Sequence, residues 1–540
     1  MTHLAFDHIP NSRTPRRGSV LFVVLVVVVM ITLSAYTFTE LMYIENKAAH
    51  LTGRQIQARN VAESGVAMLS VFLEQEPDLI AEQGGIYDNP TIMRGVLVHP
   101  DENSDMRGRF SILAPALNSD GSIEGVRFGL EDESSRVNLN ALLMLEQQTE
   151  GAGKTLLLAL PGMTEDIADC ILDYLDEDDE PRPFGAEYDY YNTLDPPYNP
   201  KNGPLETVEE LLLVKGVRPE LLFGRDTNRN GLVDEHEWAP PADSDPAANE
   251  MLEMVPDLGW SSFLTLVSME KNYSDTGTPK VFLNEENLQT LNDNLSAVTD
   301  ASYANFICAY RLYGPASSGS SGGGNSGGGG NSGGGGRTVS SVDLDLSQQP
   351  QATISNVLDL IGASVQVQQN GQTVTYPSPF ENNPIAMGIY LPVMMDTMTI
   401  NESPVIPGRI NINQAPYEIL LGIPGMDEEI VSQILELRLP IPDPEDPVTR
   451  HETWLLTQGI VTLEQMKTLS PFICGGGDVY RAQVVGYFED GSAFSRHEVV
   501  LDATQPQPKV MLWRDLTELG RGHPLEVLGL GLELDSGPIN

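Results

Sequence analysis

The chain has 540 residues with 76 acidic and 31 basic side chains, a net charge of −45 at pH 7 and a pI near 4.3. That length exceeds a single core and implies about two to four domains, while that charge repels DNA, RNA and anionic lipid headgroups. Three cysteines, Cys170, Cys308 and Cys474, are far apart and odd in number, which excludes a disulfide scaffold.

The first element is Arg16–Glu40, RRGSVLFVVLVVVVMITLSAYTFTE, uncharged from Ser19 to Thr39. It is long enough for a helix to cross a bilayer. Arg13, Arg16 and Arg17 precede it, so the N-terminal end stays cytoplasmic and the rest is exported. A cleavable secretory signal has a shorter apolar run and a small-x-small site after it; here the small residue, Gly18, comes before. Apolar residues continue at helical steps through Leu41, Ile44, Ala48 and Leu51, then Ala58, Ala62, Gly65, Leu69 and Phe72. The pattern predicts one helix from about Ser19 to Glu76, with a soft point at Thr52-Gly53.

Alternation then predicts strands at Arg109–Leu117 and Ile123–Leu130 around the turn Asn118–Gly121. The same texture returns near the C-terminus in Val479–Glu489 and Ala493–Asp502, joined by Asp490-Gly491, with a further strand at Lys509–Arg514. Neither hairpin is stable alone, so the two chain ends are expected to meet in one antiparallel sheet. The fold class is thus α+β, with a large helical region inserted between its halves.

The insert carries a repeat. VNLN (Val137–Asn140), VFLN (Val281–Asn284) and ININ (Ile410–Asn413) each precede a helical pattern. The first and third lead to a helix, a Pro-Gly-Met turn and a second helix; the middle copy lacks the Pro-Gly. VEELLLVKGVRPELL reads as another helix-turn-helix after the first unit. These units resemble helix-hairpin-helix or SAM-like modules. Acids, not bases, follow both hairpins (Thr164-Glu165-Asp166 and Asp427-Glu428-Glu429), which argues against a nucleic-acid partner. Gly314–Gly336 is Gly/Ser-rich, reads as a flexible tether and divides the insert in two.

The sharpest ligand motif is DTNRNGLVDEHE, Asp226–Glu237. It fits an EF-hand calcium loop: Asp226, Asn228, Asn230, Asp234 and Glu237 supply side-chain oxygens, Leu232 its carbonyl, and Gly231 the sharp turn. Pro240-Pro241 limits the exiting helix to one turn, which suits a structural extracellular site rather than a sensor. A second acidic stretch, Asp173–Tyr191, offers Asp176, Asp178, Asp179, Glu180 and Glu187 for another cation, or a pairing of Arg182 with Glu187. The eight histidines are scattered, and no HExxH, nucleophile elbow, P-loop or dinucleotide fingerprint occurs, so no enzyme is expected.

The anchor with Gly18 before it resembles the class III signal of type IV pilins and type II secretion pseudopilins. In those families a prepilin peptidase cuts after the glycine and methylates the new N-terminus, here Ser19. Most members place Glu at the fifth residue after the cut; this chain has Val23. Pseudopilin K of type II secretion characteristically lacks that Glu. DYLDEDDEPRPFGAEYDYY and LDPPYNPKNGPLETVEELLLVKGV also resemble that family, from the anchor through Val217 and again from Arg409 to about Arg514. The resemblance implies a minor pseudopilin capping the pseudopilus tip with pseudopilins I and J, in the inner membrane with its bulk periplasmic. Together with the patterns above it gives this division: leader 1–18, transmembrane helix 19–40, its extension 41–76, first part of the α/β domain 77–136, insert 137–313, linker 314–336, second insert 337–476, closing strands and tail 477–540. Alternatives are an exported DNA-binding protein of a competence-type pilus and a membrane-anchored hydrolase.

Overall fold

A computed structural model describes residues 19–238, 256–316, 337–369, 372–441 and 447–530. Its first element is one helix, α1 (Ser19–Leu73), 55 residues long, or roughly 80 Å at 1.5 Å per residue. The N-terminal half is exposed, and its apolar window has a mean hydropathy of 2.7, enough in length and composition for one membrane anchor. Leu41, Ile44 and Leu51 stay exposed as well. In the second half, Ala58, Val61, Ala62, Val66, Leu69 and Phe72 are buried, three or four residues apart but for the adjacent Val61-Ala62 pair. The helix runs through Gly53 without a break and ends at Leu73, three residues short of expectation.

That stripe packs on a seven-stranded sheet. Its strands are β1 (Val96–His99), β2 (Gly108–Leu117), β3 (Ile123–Arg127), β4 (Glu131–Asp132), β5 (Val479–Phe488), β6 (Phe494–Asp502) and β7 (Lys509–Asp515). The order is β1-β2-β5-β6-β7, with β3 on β2 and β4 on β5, all antiparallel. The chain's two ends meet at the central pair, where Phe110 faces Gly486. Gly486 is where α1 comes closest: a Cβ there would lie 2.3 Å from the Ala58 carbonyl oxygen. Both turns take their expected form, with Gly121 at φ +84° and Gly491 at φ +69°.

The insert is built on its repeat. Each motif opens a two-residue strand that pairs in parallel with a strand closing the unit: Val137–Asn138 with Leu264–Thr265, Val281–Phe282 with Met398–Thr399, and Ile410–Asn411 with Ile473–Cys474. The last asparagine of each motif grips backbone. Asn140 accepts from Leu205 N and donates to its carbonyl, Asn284 does the same with Ile354, and Asn413 donates to the Gly475 carbonyl. Helix pairs follow: Ala152–Leu158 with Glu165–Leu175, Leu288–Val298 with Ala301–Tyr313, and Tyr417–Gly422 with Glu428–Leu437. First and third pairs touch where a Cβ on Gly422 would sit 2.6 Å from Ala159 Cβ.

Three expectations need amendment. Val208–Leu213 is a 3-10 turn, so VEELLLVKGVRPELL holds one true helix, Pro219–Phe223. A hairpin, Ser364–Gln369 with Gln372–Pro377, lies in the region read as helical. The residues on either side of Gly314–Gly336 share a single hydrophobic core, with the Phe306 and Tyr376 rings 5.5 Å apart, so the tether does not divide the insert into separate cores. All three cysteines are free and buried.

Candidate functional site

The helix Glu165–Leu175 is amphipathic, yet its buried face carries Asp169 and Asp173 one turn apart. Burying a carboxylate is costly unless a cation answers it. For Asp169 that cation is Lys154, at 2.9 Å. For Asp173 it is Arg182, whose Nη1 donates to Asp173 Oδ1 at 2.7 Å and to Asp176 Oδ2 at 2.5 Å, and whose backbone N–H reaches Asp173 Oδ2 at 3.2 Å. The chain doubles back at Gly185 to make this closure: a Cβ there would lie 1.7 Å from Asp173 Oδ2. The return brings Glu187 onto the same spot.

Glu187 is 4% exposed, and neither carboxylate oxygen has a hydrogen-bond partner. Asp176 Oδ1 is likewise buried and unpartnered. Ligand atoms of Asp173, Asp176 and Glu187 all lie within 4.8 Å of one another. Burial, then the neighbouring charges of Asp173 and Asp176, push the Glu187 carboxyl up to about 8. Burial also raises Asp176, against the pull of Arg182. Once Glu187 ionises too, the three carboxylates and one guanidinium leave two negative charges uncompensated, the complement of a divalent cation. The donors are all hard oxygens, which suits calcium or magnesium over softer metals. A cleft of about 300 Å³ lined by Pro181, Gly185, Ala186 and Glu187 gives access.

Of the residues expected here, Asp176 and Glu187 come together. Asp178, Asp179 and Glu180 do not: they are exposed, and Asp178 only caps the Glu180 amide. Arg182 pairs with Asp173 and Asp176 rather than Glu187. The third carboxylate of the cluster, Asp173, had a sequence signal: an acid four residues after Asp169 on the apolar face of its helix.

The loop Asp226–Glu237 folds on itself. Asp226 Oδ1 accepts from Asn230 N at 3.0 Å and Oδ2 from Gly231 N at 2.8 Å, with Gly231 at φ +84°. Asp234 Oδ2 accepts from Asn228 and Asn230 Nδ2 at 2.7 and 3.1 Å. Glu237 accepts from Thr227 N, Asn228 N and Asp234 N, all near 3 Å. Leu232 donates its N–H to Asn230 Oδ1 at 2.8 Å. Asn228 Oδ1 is buried and has no hydrogen-bond partner. Burial pushes the Asp226 carboxyl up to about 6; Glu237, though also raised by burial, ends below its usual range because amides and the Thr227 hydroxyl donate to it. A helix begins at Glu235 and runs to Trp238, and the expected stop at Pro240-Pro241 lies outside the described residues. The loop is pressed onto the sheet: Gln483 donates to the Arg229 carbonyl at 2.6 Å, Asn230 to the Gly522 carbonyl at 2.7 Å, and the fully buried Arg496 to the Asn228 carbonyl.

The remaining expectations fall elsewhere. Glu165, Asp166, Asp427, Glu428 and Glu429 are exposed at the first turns of their helices, where an incoming phosphate would sit. Ser19 begins α1, and Gly18 lies outside the described residues.

Residues 135–223 match the family model described as type II secretion system (T2SS), protein K. That segment contains the whole acidic cradle. No curated protein matches the chain. Among solved structures, a chain of the GspK-GspI-GspJ complex from the type 2 secretion system of enterotoxigenic Escherichia coli is similar at 11% identity and a TM-score of 0.36, over 87% of this chain and 99% of that one.

Proposed function

We propose that this chain, which carries a type II secretion protein K segment at residues 135–223, acts as a minor pseudopilin of a type II secretion system. The family match over the acidic cradle carries the reading. The scaffold agrees with it: a bare apolar half-helix suits an anchor and a filament core, and its other half is fixed to a sheet closed by both chain ends. The anchor lies in the inner membrane with the bulk of the chain periplasmic, and a prepilin peptidase removes the leader between Gly18 and Ser19. Pseudopilins of the I and J types are the partners, met at the pseudopilus tip. The role is structural rather than catalytic.

Calcium is the cation proposed for the cradle, held by Asp173, Asp176 and Glu187, where its chemistry is charge neutralisation. The loop Asp226–Glu237 is a second calcium candidate, secondary because its own amides already satisfy most of its oxygens. One preparation tests the function. The full chain, purified from membranes of cells expressing the secretion system, should begin at an N-methylated Ser19 and carry the I- and J-type pseudopilins by mass spectrometry. A retained Met1, cleavage beyond Ala35, or absence of both partners would overturn it.

A further inference from the structure

We propose that the helix Pro384–Thr397 is a docking surface for a basic, amphipathic helix of another protein. It lies outside the protein K match and outside the stretches that resemble that family. One face, with Met387, Tyr390, Leu391 and Met394, is buried in the insert's core. The other is apolar and bare at three positions, although Pro392 on the same side is buried. Ile385 is 81% exposed, Ile389 74% and Val393 47%, at steps of four along one side. A helix apolar all round belongs inside a structure, so half of this one is unfinished.

The bare face has the features of a helix seat. A groove of about 430 Å³ runs between Ile389 and Val393 on one wall and Val298–Tyr303 on the other, floored by Phe380 and Tyr390. Gly388 lies on this face, and a Cβ there would meet nothing within 4 Å, so a partner backbone can come close. Exposed anchors at i, i+4 and i+8, the last two lining a groove, are the pattern of helix-in-groove recognition.

Charge decides the occupant. Residues 281–313 and 372–407, which build this part of the molecule, hold seven acids, four in the first stretch and three in the second. The bases nearest the helix are engaged: Arg311, 4% exposed, spends its guanidinium on the carbonyls of Ala352, Asn284 and Glu285, Lys280 donates to the Met395 carbonyl at 2.7 Å, and Arg450 pairs with Asp275. Asp300 stands on the groove's rim. A second copy would set acid against acid, and an anionic membrane would be repelled. A helix with leucine-like anchors flanked by Lys or Arg meets both the apolar floor and the acidic rim.

The test uses the full chain in phosphatidylcholine nanodiscs, with binding measured as the excess over empty discs by fluorescence anisotropy. The probes are a labelled leucine–lysine amphipathic helix, a leucine–glutamate helix of the same pattern, and oligolysine of equal charge. The leucine–lysine helix should bind at least about tenfold more tightly than either control. Ile385→Ser with Ile389→Ser should weaken it by about tenfold or more, while Leu437→Ser with Leu439→Ser, exposed elsewhere, should not. Circular dichroism of both variants should match the parent. No binding, equal binding of either control probe, an unaffected stripe variant, or a dimer that the stripe substitutions dissociate would each overturn the proposal.

Discussion

Glu187 links burial to charge at a single side chain. Its carboxyl is held up to about 8, whereas an unfolded glutamate titrates near 4.3. Below the unfolded value both states are protonated and nothing is lost. As pH rises through this window the unfolded chain ionises first, so stability falls until Glu187 also ionises. The gap between the two values bounds the loss at about 5 kcal/mol. With chelator, the melting temperature should therefore drop between pH 5 and pH 8; calcium should flatten the profile. Glu187→Gln should flatten it without calcium and abolish most of the calcium response. Glu237→Ala should remove less of that response, because its partners are backbone amides already in place. A calcium response intact in Glu187→Gln and lost in Glu237→Ala would reverse the ranking of the two sites. Crowding along the sequence pointed to Asp178–Glu180, and they are exposed. What makes the cradle is burial, and burial of Asp173 depends on which face of a helix meets a core contributed by residues far along the chain.

Among elements, the junction of sheet and insert is held by an alternating chain of charges. Arg481 joins the fully buried Glu133 at 2.6 Å and Glu498 at 2.7 Å; Arg514 joins Glu498 at 3.2 Å and Glu209 at 2.9 Å; Arg229 closes on Glu209 at 3.0 Å. Arg481 is the cation that Glu133 meets, and removing it leaves Glu133 buried without one. Arg481→Met should cost about 3 to 5 kcal/mol by denaturant melting, and the double variant Arg481→Met/Glu133→Gln should recover part of that. A single-variant loss under about 1 kcal/mol would show that water takes over the carboxylates. This network was not legible in the sequence, since its members lie between positions 133 and 514 with no spacing that relates them. The hairpins at Asn118–Gly121 and Asp490-Gly491 were legible because turn chemistry is local. Ser364–Pro377 carries the same kind of signal, Asn370-Gly371 between alternating Val365, Val367, Val374 and Tyr376. The surrounding helical motifs mask it.

At the scale of the whole molecule, the repeat and the tether make opposite demands. Gly314–Gly336 has a composition that cannot contribute to a core, and such segments are where chains tolerate cutting. Yet the middle unit closes across it: Val281–Phe282 pairs with Met398–Thr399, Leu283 N donates to the Thr399 carbonyl, and the Arg311 carbonyl accepts from Gln351 and Ala352 N. Phe306 and Phe380, on opposite sides of the tether, are both fully buried in the one core. The sheet adds a second tie, since β2 pairs with β5. Covalent continuity at the tether therefore supplies only a loop-closure entropy term, which grows slowly with length and is about 1 to 3 kcal/mol at most against a core of this size. A protease site placed within the tether of the full chain should be cut to completion, and the two fragments should then co-elute under native conditions. Their melting temperature should lie within a few degrees of the uncut protein's and become concentration-dependent. Fragments that part on the column without denaturant would mean that the shared core is not what joins the two sides.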